Sequence, residues 1–336
     1  MVERMSKTNN IFGRWLTPEF IDKLNAADWW PKIVADEELF VGIREGYLNV
    51  YCKGDSMAKL TAGAGNSPPN AKVHWKYLLP GGDKKPPRIK NDYLALGPAT
   101  AKKIGSEISS IDQIEQIKLY AQARFNTEDK NPPPSTREKE LIQRYLANAK
   151  DVIDLEASIS TKRTDDGNKL AGGDPSPLRS RLDKKMEVHG YKPKQNSHNK
   201  GRSIPRIDLI QLIEDHSKIH LNFVEVKHIQ NSELRANRQN DVSVIKQLRI
   251  YEFLLTDTAC QDNFISAYKK VCQTLVQLGI AKENSLARKV VENGVLDILP
   301  KPKLLILTNG SETSVNWEEH KARIQEAGYE VEEHQL

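Results

Sequence analysis

Charged residues stand at two places where an ordinary strand would carry apolar side chains. In Phe223-Val224-Glu225-Val226-Lys227 the side chains alternate across the strand, so Glu225 and Lys227 share one face at the end of an otherwise apolar run. Asp208, in Arg206-Ile207-Asp208-Leu209-Ile210, is the matching charge on the preceding predicted strand. The polar turn Glu214-Asp215-His216-Ser217-Lys218 is short enough for the two strands to pair as a hairpin, which sets the Asp208 carboxylate beside Glu225. Two such carboxylates suit a hard cation, Mg2+ or Mn2+, that keeps several waters and takes its remaining contact from a phosphate. A cation there would polarise a phosphodiester and help generate hydroxide for in-line attack. The Lys227 ammonium would orient that water or offset charge on the pentacoordinate phosphorus.

Downstream, Gln247-Leu248-Arg249-Ile250-Tyr251 places Gln247 and Tyr251 four apart, on one face of a predicted helix. Asp208, Glu225-x-Lys227 and this Gln-x-x-x-Tyr together resemble the PD-(D/E)XK nuclease superfamily, in the branch that includes RecB-type nucleases. The resemblance implies a restriction-endonuclease-like fold, with an αβββαβ core, and substrate-positioning roles for Gln247 and Tyr251. It also implies a glutamate from the first core helix. Glu138 lies on the row Ile142, Tyr145, Ala149 and is the first candidate; Glu140, a step round the helix, stays open. The chain departs from the pattern at Pro205-Arg206, where the literal Pro-Asp dipeptide is missing, so the place of Asp208 rests on strand order. Glu156 is either a solvated strand residue or an extra acid near the metal.

The elements that must carry these residues follow from periodicity. A helix is predicted from Arg137 to Ala149, capped by Ser135 or Thr136, then strands at Val152 to Ile159, Ile204 to Ile213 and His220 to Val226. Helices follow at Val242 to Leu255 and near Asp262 to Leu278, then a strand at Lys303 to Thr308 and a helix from Trp317 to Ala327. The fold class is therefore α/β, a mixed sheet flanked by helices. Before it, a helix at Pro18 to Leu24, strands at Leu39 to Ile43, Tyr47 to Tyr51, Met57 to Leu60 and Val73 to Leu78, and a helix from Ile111 to Arg124 predict a smaller α+β domain built on an antiparallel meander. The proline run Asn131-Pro132-Pro133-Pro134-Ser135 cannot continue a helix. It divides the chain into a module at 1–130, a linker at 131–136 and a nuclease-like domain at 137–336.

Charge is unevenly spread. The net charge is +5, yet residues 161–206 alone carry 12 Lys and Arg against 5 Asp and Glu, in a context rich in Gly, Pro, Ser and Asn. Residues 161–203 read as a long basic loop that meets phosphates or is simply solvated. Cys52, Cys260 and Cys272 are odd in number and far apart, which predicts buried thiols and argues against a disulfide framework or cysteine zinc site. His216 and His220 straddle a turn, a poor geometry for a zinc pair, while His228 stands beside the candidate site. Thr61-Ala62-Gly63-Ala64-Gly65-Asn66 lacks the Lys-Ser/Thr of a phosphate loop and reads as a plain connection. No apolar leader follows Met1 and no run approaches the roughly 18 apolar residues of a membrane span, so the expected location is cytoplasmic.

The expectation is a Mg2+- or Mn2+-dependent nuclease acting on DNA, RNA remaining open. Endonuclease action in restriction, phage defence or repair is what the resemblance implies. The alternative is a catalytically silent nuclease-fold protein serving as a nucleic-acid-binding or scaffold subunit. A homodimer or a partner protein is compatible with either, since one site cuts one strand at a time.

Overall fold

The computed structural model describes residues 13–80, 85–86, 89–125, 134–157, 177–191, 206–236, 242–310 and 312–336. It is a mixed α/β structure with two sheets, one antiparallel and one mixed. Among the described residues, no helix is long and apolar enough to cross a membrane.

The first sheet is preceded by helices α1 (Pro18–Asn25) and α2 (Trp30–Ala35). Pro18 opens α1 and the Thr17 hydroxyl accepts from the Phe20 N–H, while Phe20, Ile21 and Leu24 turn inward. Strands β1 (Leu39–Arg44), β2 (Tyr47–Cys52), β3 (Asp55–Thr61), β4 (Asn70–His74) and β5 (Tyr93–Ala95) then pair antiparallel in chain order. Lys53 and Gly54 both take positive φ, as a two-residue hairpin requires. The strand expected to reach Leu78 ends at His74, whose side chain accepts from the Lys76 N–H and starts a 3-10 turn at Trp75–Tyr77. Leu48, Val50, Leu60 and Val73 fill the inner face, packed in one core with Ile114, Ile117 and Ala121 of α4 (Ile114–Phe125); α3 (Pro98–Ile104) precedes it. The opposite face carries Asn49, Lys59 and Lys72 in direct cross-strand register.

Helix α5 (Pro134–Asn148) begins the second unit. Ser135 and Thr136, expected to cap it, fall within the helix as its range stands. Strand β6 (Val152–Ala157) follows. The stretch expected as an unbroken basic loop contains helix α6 (Pro177–Val188), whose Leu182 and Met186, four apart, are buried in the core; residues 158–176 and 192–205 lie outside the described residues. Strands β7 (Ile207–Asp215) and β8 (Lys218–His228) form the expected hairpin, turned by His216 and Ser217 at positive φ. Helices α7 (Ser243–Thr256), α8 (Thr258–Gln277) and α9 (Leu286–Asn293) lead to β9 (Asp297–Ile298), β10 (Lys303–Thr308), α10 (Trp317–Glu326) and β11 (Val331–Gln335).

The sheet runs β11-β10-β8-β7-β6, antiparallel from β6 to β8 and parallel beyond, with β9 alongside β8. One face, with Leu155, Leu209, Val224, Val226 and Leu305, packs with Leu141 of α5. The other, with Ile210, Leu212 and Phe223, packs with Leu248 of α7 and Phe264 and Tyr268 of α8; the Phe223 and Phe264 rings meet edge to face at 4.9 Å.

The two sheets are tied by a buried ion network. Asp154 on β6 accepts from Arg14 Nε at 2.7 Å, Arg44 Nη1 at 2.5 Å and the Tyr268 hydroxyl at 2.9 Å. Arg44 also donates to the Leu155 carbonyl and, at 2.9 Å, to the Tyr51 hydroxyl. Cys52, Cys260 and Cys272 are buried free thiols, each pushed up to about 12 by burial.

Candidate active site

The β7–β8 register pairs Leu209 with Val224, which carries Asp208 and Glu225 to the same end of the hairpin. Asp208 Oδ2 accepts from the Val226 N–H at 2.9 Å. Glu225 and Lys227 share a face and are bonded through Glu225 Oε1 and Lys227 Nζ; both side chains are buried. Helix α7 braces this pair. Gln247 Nε2 lies 2.7 Å from Glu225 Oε1 and 2.7 Å from the Tyr251 hydroxyl, and that hydroxyl lies 3.1 Å from Glu225 Oε2 and 2.6 Å from the Arg206 carbonyl oxygen. Gln247 and Tyr251 thus hold both the carboxylate and the start of β7, the strand that bears Asp208.

Glu138, from the first turns of α5, turns its carboxylate to the end of β8, accepting from the His228 N–H at 3.2 Å and Asn231 Nδ2 at 3.0 Å. It lines a cleft of about 120 Å³ with Gly54, Lys139, Ile142, Leu155, Glu156 and Asp208. Glu140, the other candidate, is not part of that lining. Glu156 is: its side chain is one-third exposed, at positive φ, with Arg206 3.8 Å away. The β2–β3 hairpin completes the wall through Gly54, where an added Cβ would lie 2.8 Å from the Lys139 carbonyl oxygen.

Three neighbours escaped sequence reasoning. Glu233 stands 3.4 Å from Lys227, at the 3-10 turn Ser232–Leu234 that Asn231 caps. An Asn-x-Glu directly after the charged strand was the available signal. Tyr191, pushed up to about 12 by burial and then by Glu225 and Glu233, comes from the end of α6 and had no such signal. Glu312 Oε2 sits 2.7 Å from Nε2 of the buried His228, a long-range pairing no local pattern announces. His216 is exposed in the turn and His220 lies on β8.

The electrostatics are lopsided. Burial, then the Glu225 charge, drives the Asp208 carboxyl well above the usual carboxylate range, against the pull of Lys227 and the Val226 N–H. Burial also raises Glu225, although Lys227 opposes it. Burial disfavours the Lys227 ammonium, but Glu225, Asp208, Glu138 and Glu233 outweigh it and hold the lysine protonated. One ammonium therefore answers four carboxylates.

Among the described residues, no group of three or more His, Cys, Asp or Glu is arranged as a ready metal cage. Mg2+ does not need one, because it keeps its waters and takes one or two carboxylates plus substrate oxygens. The donor set fits that demand: Asp208 Oδ1 carries no hydrogen bond among the described residues, Glu225 lies beside it, and the cluster lacks positive charge. Asp208 and Glu225 are the two residues that would hold the ion.

Comparison of the chain with protein-family models, with curated proteins and with solved structures returns no match.

Proposed function

We propose that this chain is a metal-dependent nuclease hydrolysing phosphodiester bonds in DNA. The observation that carries the reading is the meeting of Asp208, Glu225 and Lys227 at one end of the β7–β8 hairpin, with Gln247 and Tyr251 locking Glu225 from α7. The succession α5, β6, β7, β8, α7, β10 supports it further, being the αβββαβ order of a restriction-endonuclease-like core.

Bound Mg2+ or Mn2+ would polarise the scissile phosphate and lower the pKa of the attacking water. The chain's own residues do the rest. Lys227, held protonated, donates a hydrogen bond to the water or to a phosphoryl oxygen on which charge builds. Glu138 holds the end of β8 through His228 and Asn231, fixing the strand that carries Glu225 and Lys227. Gln247 and Tyr251 keep the Glu225 carboxylate in one orientation.

The test is a panel of plasmid, linear and single-stranded DNA, and RNA, incubated with Mg2+, Mn2+ or a chelator. Metal-dependent products are expected from the wild type and none from Asp208→Ala or Lys227→Ala, with circular dichroism unchanged. Either variant cutting at the wild-type rate would overturn the site assignment. One observation favours a second reading, a silent nuclease-fold scaffold: both Glu225 oxygens are already engaged, by Lys227, Gln247 and Tyr251. Nucleic-acid binding without metal-dependent products under every condition would select it.

A further inference from the structure

The outer face of the first sheet is charged in a way that stability does not explain. Lys59 on β3 and Lys72 on β4 are direct cross-strand partners, a like-charge pairing that costs a sheet stability. Among the described residues, no carboxylate pairs with either. Lys59 Nζ instead lies 4.2 Å from the ring centroid of Tyr93 and 5.8 Å from that of Tyr47. The Tyr93 ring is pinned by its hydroxyl, which lies 2.7 Å from Ser56 Oγ and 2.8 Å from the Ser56 carbonyl oxygen. Burial lowers the Lys59 pKa, and the charges of Lys72 and then Arg206 lower it further.

The sheet reaches the cleft through Gly54, which joins β2 to β3 and lines it with Glu138, Glu156 and Asp208. Arg206 stands 3.8 Å from Glu156. Cations thus stand on β4, on β3 and, at Arg206, beside the cleft's carboxylates. Lysines interleaved with fixed aromatic rings form the surface used for single strands, whose bases are free to stack; a duplex would need the cations but not the rings.

We propose that Lys59, Lys72 and Arg206, with Tyr47 and Tyr93, hold the phosphodiester backbone of a single nucleic-acid strand and lead it into the cleft. This deepens the nuclease reading and rests on it for what happens at the end of the path. The binding itself is measured without catalysis. Fluorescence anisotropy of the full chain with labelled single-stranded and duplex DNA oligonucleotides, in chelator over a salt series, reads affinity and its salt slope. For Lys59→Glu with Lys72→Glu we expect single-strand affinity to fall at least tenfold. For Lys72→Ala, an exposed position that leaves the fold untouched, the salt slope should fall by about 0.7, the value of one lost phosphate contact. The charge-matched control, Lys102→Glu with Lys103→Glu on the exposed face of α3, should change affinity less than twofold. Unchanged affinity and slope in the sheet variants, an equal loss in the control, or binding of duplex alone would each overturn the proposal. The two readings fail separately: a wild type that binds in this pattern but never cuts with metal refutes only the nuclease, whereas one that cuts while the sheet variants bind normally refutes only this path.

Discussion

Asp154→Asn should loosen the join between the two sheets. The carboxylate is 1% exposed and faces two guanidiniums that are 5% and 6% exposed, Arg14 at 2.7 Å and Arg44 at 2.5 Å. The amide keeps the shape but removes the only charge of the trio that opposes the other two. Leaving buried ions without a counter-charge costs about 3–5 kcal/mol. At about 2 °C per kcal/mol, the lower end for long chains, the melting temperature should drop by roughly 6–10 °C. The reporters are well placed: Trp15, Trp29, Trp30 and Trp75 lie in or before the first sheet, while Trp317 opens α10. Urea unfolding followed by tryptophan fluorescence and by far-ultraviolet circular dichroism should coincide in the wild type and separate in the variant, fluorescence first. The pH dependence has a definite sign. Burial opposes the Asp154 carboxylate, but Arg14 and Arg44 hold it below the usual range, so its stabilisation is full above the unfolded value of about 3.9 and is lost as pH falls through the lower folded value. The wild-type advantage over Asn should therefore shrink in acid. A loss under about 1 kcal/mol at neutral pH, with coincident transitions, would refute the reasoning.

Tyr251→Phe removes the hydroxyl shared by Gln247, Glu225 and the Arg206 carbonyl, so we predict about a tenfold fall in kcat, near 1.4 kcal/mol, with KM within twofold. A raised KM at full kcat would show that Tyr251 binds substrate and does not position Glu225. Burial works against the Asp55 carboxylate, but Lys139 and then Lys76 bring it down to about 2, with the Tyr77 hydroxyl 2.8 Å away. Asp55→Asn should thus cost about 2 kcal/mol above pH 4, a difference that fades as pH falls toward 2; urea midpoints that differ equally at both ends of that range would count against it.

The hairpin that carries the candidate site was legible because strand alternation makes a charge on an apolar face conspicuous. Asp208, Glu225 and Lys227 each interrupt runs of Ile, Leu, Val and Phe. Gln247 and Tyr251 were legible through the resemblance of their Gln-x-x-x-Tyr pattern; their spacing alone says only that they share a helix face. What local pattern could not show was partnership over distance: Arg14 and Arg44 reach Asp154 across 140 and 110 residues, in a buried network that ties the two sheets. Strand β11, Val331-Glu332-Glu333-His334-Gln335, has almost no apolar alternation and is a strand through its parallel pairing with β10. Helix α6 was hidden by the Pro, Gly and Ser around it, its buried row among the described residues being Leu182 and Met186.

Two acids in the second sheet show how burial can mean opposite things. Asp154 and Asp208 both lie among apolar strand residues, and desolvation is the largest influence on each. Around Asp154 that cost is answered by two guanidiniums and a tyrosine hydroxyl, and its pKa falls; the arrangement is electrically complete and explains itself as structure. Around Asp208 the nearest charges are mostly of its own sign, and its pKa climbs despite Lys227. A fold selected for stability alone gains nothing from gathering Glu138, Asp208, Glu225 and Glu233 about one lysine. Such a cluster is relieved by a proton on Asp208 or by a further cation, and this charge imbalance, more than the spacing of the residues, sets it apart from the buried salt bridge at Asp154.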